Sequence, residues 1–220
     1  MQPEIDRRGA YAEPFVGSAA VTQHVKCPLR QAHDANHAVV TLWQAVSQGW
    51  QPPDCLSKAE YDNLRHLQDP LNPMTAFAGI GCSFSGKWFG GFARSENRNY
   101  AANARNSILK KAKGLTGVEW SHGDFASVPL YEGAVVYCDP PYAGTTSYTG
   151  TPAFDHTRFW AWCREAEKDG FCVYVSEYAA PPDFACVWQI ETKTDMRMKS
   201  GAKDVRIEKL FRWSSGDRHG

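Results

Sequence analysis

The sequence predicts an α/β domain built on an open parallel sheet, and three features predict it. Residues 11–46 run as strand, glycine turn, helix, strand, acid and helix, the order of a sheet that holds a nucleoside-like ligand at its strand ends. Strand-like segments return at Val118 and Ala134 after a section of different character. A further apolar strand, Phe171 to Ser176, follows a helical segment.

In order along the chain, Tyr11 to Val16 reads as the first strand and Gly17-Ser18 as its turn. Ala19 to Val25 is expected to start a helix. Leu29 to His33 is the second strand, ending at Asp34-Ala35-Asn36, and a helix follows through Val39, Leu42, Trp43 and Val46. Gln51-Pro52-Pro53-Asp54 breaks the chain. Ser57 and Glu60 have the spacing of a capping box for a helix through Leu67. Met74 to Phe84 is apolar and expected to be helical, whereas Gly86 to Phe92 carries too many glycines for a helix. Asn99 to Lys113 reads as a basic helix stopped by Gly114. Residues 50–114 are thus expected as a helical insertion between the two halves, 10–49 and 115–213, of one sheet domain.

Beyond the insertion, Val118 to Trp120 and Ala134 to Tyr137 are strands. Thr145 to Phe154, rich in Gly, Thr, Ser and Pro, reads as a loop. Asp155 is the expected N-cap of a helix from His156 to Lys168. Ala185 to Ile190 and Arg206 to Trp213 should close the sheet as an antiparallel pair.

The chain has 220 residues, 43% apolar and 22% charged, which suits one globular domain with a real core. It holds no apolar stretch of the ~20 residues a membrane helix needs, and its first residues lack the apolar segment of a signal peptide. The seven cysteines are scattered and never spaced Cys-x-x-Cys, so reduced thiols in a cytoplasmic protein are expected and no metal site is. Net charge is zero, yet Lys87 to Lys113 holds seven basic residues against Glu96 alone. Lys193 to Arg212 holds seven more against three acids. Local basic patches of this kind suit a phosphate backbone or a solvated helix face.

The most informative stretch is Val135 to Tyr142, a short apolar strand that runs into Asp139-Pro140-Pro141-Tyr142. An exocyclic amino nitrogen on a planar base is barely nucleophilic, because its lone pair is delocalised into the ring. Accepting hydrogen bonds from both of its N–H groups pulls it towards tetrahedral geometry. The Asp139 carboxylate and the Pro140 carbonyl are acceptors of that kind. Two prolines stiffen the loop, and Tyr142 offers a flat face for a base drawn from its stack. Cys138, beside the motif, is simpler as a small buried strand residue than as a nucleophile.

Taken together, Glu13-Pro14-Phe15-Val16-Gly17, Asp34-Ala35-Asn36, Gly123-Asp124-Phe125 and Asp139-Pro140-Pro141-Tyr142 resemble, in order and spacing, the Dam-type adenine-N6 DNA methyltransferases. Within that family the chain is most similar to the D12 class and its phage-encoded members. Phe154-Asp155-His156, the strand ending at Ser176, and the stretches Ser200-Gly201-Ala202 and Glu208 to Phe211 carry the likeness over roughly residues 10–213.

The resemblance implies a Rossmann-like, seven-stranded sheet that binds S-adenosyl-L-methionine, with target recognition in the insertion. It implies cofactor contacts from Glu13, Pro14, Phe15, Gly17, Asp34, Asp124, Phe125 and Asp139, and catalysis by Asp139, Pro140 and Tyr142. Phe125 serves equally well as a core residue, and Asp34 as a helix cap. Lys87, Trp88, Phe89, Arg94 and Arg98 are the expected surface for double-stranded DNA, with Lys199 and Lys203 adding phosphate contacts. An aromatic loop packed on the insertion is the structural alternative for the first group. Family members carry a longer segment before the first motif, with a lysine and an aromatic that help hold the cofactor; here Met1 to Ala10 precede it.

Other readings stay open: a methyltransferase acting on RNA or on a protein amide, and a DNA-binding or anti-restriction protein with impaired catalysis. Open too are the recognition sequence, a restriction nuclease partner, and whether the chain is a monomer or a dimer.

Overall fold

A computed structural model describes residues 1–95, 97–142, 154–197 and 203–214, without the side chains of 85, 192–197 and 203–206. The chain is an α/β protein whose seven strands form one mixed sheet, mostly parallel, of a kind compatible with a Rossmann-like fold. The strands are β1 (Ala10–Glu13), β2 (Leu29–Asp34), β3 (Val118–His122), β4 (Val135–Cys138), β5 (Cys172–Glu177), β6 (Phe184–Arg197) and β7 (Lys203–Trp213). Their order across the sheet is β3-β2-β1-β4-β5-β7-β6. The first five run parallel, and β7 lies antiparallel between β5 and β6. The chain reverses its direction of winding between β1 and β4, which makes the gap between their carboxyl ends the topological switch point.

The helices are α1 (Gln2–Arg8), α2 (His37–Ser47), α3 (Lys58–Leu67), α4 (Pro73–Ala76), α5 (Tyr100–Ala112) and α6 (His156–Lys168). Local chemistry sets most of their starts. Asn36 caps α2 through the Ala38 amide, and Ser57 and Glu60 make the reciprocal capping box of α3. Asn99 caps α5, and Asp155 caps α6 by accepting from the Arg158 amide at 2.9 Å. A face of α6 formed by Phe159, Trp160, Cys163 and Ala166 packs on Val136, Cys138, Val173 and Val175 of the sheet.

The insertion folds with the sheet. Tyr61, Leu64, Phe77, Ala101 and Ile108 share one continuous core with α2 and with Ala32 and Val118. Trp43 of α2 stacks on Trp120 of β3, ring centroids 6.2 Å apart.

Three local expectations are corrected. The first strand ends at Glu13, because Pro14 has no N–H with which to continue the ladder. The helix expected over Ala19–Val25 is a turn and one short 3₁₀ segment, Thr22–His24. Ala19 sits at φ 53, outside the helical region, and the buried Glu13 carboxylate takes the Thr22 amide and hydroxyl for itself. The apolar run from Met74 is helical only to Ala76, then widens to a π-turn over Phe77–Gly81. Gly79 allows that close packing: a Cβ there would lie 2.9 Å from the Phe89 ring. Helix α1 was not foreseen; it seats Ile5 against Tyr11, Val135 and Cys172 beneath the sheet.

Candidate active site

Two chain segments meet at the switch point: the turn after β1 and the Asp139–Tyr142 loop after β4. The turn is tied to the end of β2 by two bonds and to α2 by a third. The Val16 amide donates to the His33 carbonyl at 2.9 Å, and the Gly17 amide to Asp34 Oδ2 at 2.8 Å. The Trp43 indole donates to the Gly17 carbonyl at 2.9 Å. Gly17 adopts φ +43, and the space where its Cβ would stand is open. Asp34 is also bonded through Oδ1 to the Asn36 amide, so it organises two turns at once; burial raises its pKa against these bonds.

Glu13, at the tip of β1, is buried. Its Oε2 accepts from the Tyr11 hydroxyl at 2.8 Å and the Thr22 amide at 3.0 Å, and from the Thr22 hydroxyl. Burial pushes its carboxyl to about 7, with the Asp139 charge adding to the rise. Asp139 stands open to solvent at the tip of β4, while Pro140 behind it is buried. Burial on its protein side raises the Asp139 pKa, the Tyr142 hydroxyl bonded to it lowers it, and the Glu208 and Glu177 charges raise it again. Tyr142 is half-buried; its hydroxyl lies 3.0 Å from Ser176 Oγ and its ring meets Tyr178 edge-on at 4.7 Å. Residues 143–153, which include most of the expected loop, lie outside the described residues.

Phe15 and Phe125 belong to a larger aromatic cluster than the motifs suggested. Phe15 stacks on Phe125 at 5.8 Å, and both pack against Phe154 and Phe159. Phe125 is buried in this cluster, so it serves the core. Asp124 caps a 3₁₀ turn at Ala126 and is held bidentate by Arg158, at 2.9 and 2.5 Å. Those bonds draw its pKa below the usual carboxylate range. The Arg158 guanidinium lies 4.8 Å over the Phe125 ring. His33 supports the same turn, with Nδ1 2.7 Å from Ser121 Oγ and Nε2 3.1 Å from the Asp124 carbonyl.

Arg158 and Thr22 are residues that motif reading missed, and Ser176 and Glu208 lie in stretches that carry the resemblance without a role being assigned to them. Arg158 lay within reach of a sequence signal, since it is the third residue of the helix that Asp155 caps. The places of the other three follow from tertiary contacts.

Cys138 and Cys163 are both fully buried, and burial, with Cys163 alongside, pushes the Cys138 thiol well up. A thiol of that kind is a poor nucleophile.

The expected DNA surface is divided. Phe89 is buried edge-on to Tyr61 at 5.5 Å, and its amide donates to the Gly79 carbonyl. Trp88 packs on Phe89 at 5.1 Å and is half-buried. Lys87, Arg94 and Arg98 are exposed, the two arginines beside a cavity of about 230 Å³ lined by Leu56, Phe92 and Tyr100. Lys199 and the Lys203 side chain lie outside the described residues. Among the described residues no helix is long and apolar enough to cross a membrane, and no group of His, Cys, Asp and Glu is placed to hold a metal.

No family model matches the chain, and a search of the curated proteins returns no match.

Proposed function

We propose that this chain is an S-adenosyl-L-methionine-dependent methyltransferase acting on the N6 amino group of adenine in double-stranded DNA. One observation carries the reading: Asp139-Pro140-Pro141-Tyr142 stands at the carboxyl end of β4, across the switch point from the Pro14–Gly17 turn. In open α/β sheets ligands bind in that crevice. The resemblance of the four motifs supplies the reaction class, and the geometry supports it by bringing three of the four motif segments to neighbouring strand ends, β1, β2 and β4, and the fourth just beyond β3.

The residues suit a positively charged sulfonium ligand. Burial raises the carboxyl pKa of both Glu13 and Asp139; the Asp139 charge adds to the rise at Glu13, the Glu208 and Glu177 charges add to that at Asp139, and no described lysine or arginine is bonded to either. A cation in the crevice would relieve that crowding. When bound, the cofactor supplies a methyl group already activated by its sulfonium. Asp34, at the tip of β2, has lone pairs beyond those used by Gly17 and Asn36 and is placed for ribose hydroxyls. Phe15 contributes an apolar wall.

At the substrate side Asp139 accepts one amino N–H, and the Pro140 carbonyl is proposed to accept the other. So held, the nitrogen would take the methyl in line as the S–CH3 bond breaks and the neutral thioether leaves, its surplus proton passing to solvent; the protein's contribution is position and electrostatics. Tyr142, held by Ser176 and Tyr178, presents an aromatic surface to the extruded base.

Incubation with tritiated cofactor and unmethylated duplex DNA tests the reading, with label expected in N6-methyladenine. Label in RNA or protein but not in DNA moves the substrate. Binding of cofactor and DNA without any transfer identifies an impaired enzyme.

A further inference from the structure

The β6–β7 pair extends well past the sheet that anchors it. Strand β5 pairs with β7 only over Val175–Glu177, opposite Phe211–Lys209. From Ile190↔Glu208 outwards to Arg197↔Lys203, β6 and β7 pair with each other alone. A two-stranded ribbon is marginal in water unless something covers it. At its base and first step β6 leaves large apolar side chains uncovered: Trp188, opposite Leu210, is 54% exposed and Ile190 44%.

Register places those two side chains relative to the proposed catalytic carboxylate. Cys138 pairs with Val175, so Asp139 stands level with Ser176; Ser176 pairs with Leu210, and Leu210 with Trp188. Ser176, Leu210 and Trp188 therefore form one row across three strands and share a face of the sheet, and Asp139, one residue past the β4 ladder, stands beside the Ser176 end of that row. Ile190, opposite Glu208, lies one step further along that face. Glu208, paired with Ile190 at that step, also acts through its charge on Asp139 and Tyr142. Three strand spacings of ~4.8 Å put the Trp188 backbone ~14 Å from that of Asp139. That is close to the ~12 Å width of a B-DNA major groove, into which a two-stranded ribbon fits.

We propose that Trp188 and Ile190 form an apolar wedge that meets duplex DNA beside the adenine delivered to Asp139. The inference deepens the DNA reading above and rests on it. Position favours DNA as the occupant, since on the reading above the duplex that delivers adenine to Asp139 lies against the end of this row, and the Lys193 to Arg212 stretch of the sequence carries seven basic residues against three acids. A second copy of the chain, pairing along β6, is disfavoured by the register shifts at Cys186/Trp188 and Lys193/Arg197. Shifts of this kind twist an edge strand away from flat pairing. An apolar side chain pressed into a base step opens the stack, and extrusion of the neighbouring base needs that opening.

The test uses the full chain, a short fluorescein-labelled duplex free of methylated bases, and S-adenosylhomocysteine. Trp188→Ala should weaken DNA binding, read by anisotropy, by roughly 5- to 150-fold, the scale of one aromatic–base stack. It should also suppress the permanganate reactivity of thymines that marks unstacking. Trp188→Phe should retain most of both signals. Calorimetric affinity for S-adenosylhomocysteine should match the parent in both variants, which excludes a folding defect. If Trp188→Ala and Ile190→Ala bind DNA as the parent does, the wedge is wrong and the methyltransferase reading stands. If Trp188→Ala instead changes the oligomeric state at equal concentration, the occupant is a second copy and the proposal fails. A parent chain that binds S-adenosylhomocysteine but no DNA overturns the DNA reading and the wedge together.

Discussion

The Gly17 amide donates to Asp34 Oδ2 at 2.8 Å, so the turn after β1 and the tip of β2 are one unit. The acid proposed to meet the cofactor's ribose is therefore also the strut of the glycine turn.

Asp34→Ala should accordingly act on two quantities. Loss of a charged acceptor should weaken S-adenosylhomocysteine binding by about 1.5–3 kcal/mol. Freeing the Gly17 and Asn36 amides should also destabilise the fold by about 1–3 kcal/mol. Calorimetric titration and urea unfolding measure the two separately. Reduced stability with unchanged affinity would confine Asp34 to the strut.

Asp139→Ala should lower methyl transfer by about 100- to 1000-fold or more, because it removes the main acceptor for the target N–H groups. The fold should survive, since Asp139 is solvent-exposed and lies beyond the β4 ladder. Near-parental turnover would falsify the mechanism. In the parent, transfer should fall as pH drops through a carboxyl pKa above the ordinary aspartate range, because the acceptor must be ionised and burial raises it.

Glu13 makes a prediction about stability. Its carboxyl titrates near 4.5 when unfolded and about 7 when buried. Between those values the folded chain holds a proton that the unfolded chain has released, so stability is full below about 4.5 and declines as pH rises through 7. The decline from this one group is up to about 3 kcal/mol. Glu13→Gln removes the titration, so its urea midpoint should vary less between pH 5 and pH 8 than the parent's. Parallel slopes in the two proteins would mean that another group sets the pH response.

Lys87, Arg94 and Arg98 are exposed on the insertion, away from Asp34 and Asp139 in the chain. Changing all three to alanine should weaken DNA binding and flatten its salt dependence by about 0.9 per lost phosphate contact on a log–log plot. Cofactor affinity should not change. An unaltered slope in a filter-binding series would place the phosphate contacts on the β6–β7 ribbon instead.

Elements whose cause is local were legible in the chain. The α3 capping box, the Asn99 and Asp155 caps, the alternation of strand and helix, and the acids at strand ends all act within a few residues. Their chemistry can be read without knowing the fold. Where long-range contacts overrode local preference, the reading failed. The helix expected over Ala19–Val25 gave way because Glu13, buried nine residues upstream, claims Thr22. Phe89, which reads as a surface aromatic beside Lys87, is drawn into the core by Tyr61. Tertiary contacts set the row Ser176–Leu210–Trp188 beside Asp139, residues that lie up to 71 positions apart in the chain. Neighbours across a sheet are set by strand order and register, which depend on the burial of whole faces and leave no spacing in the sequence to read.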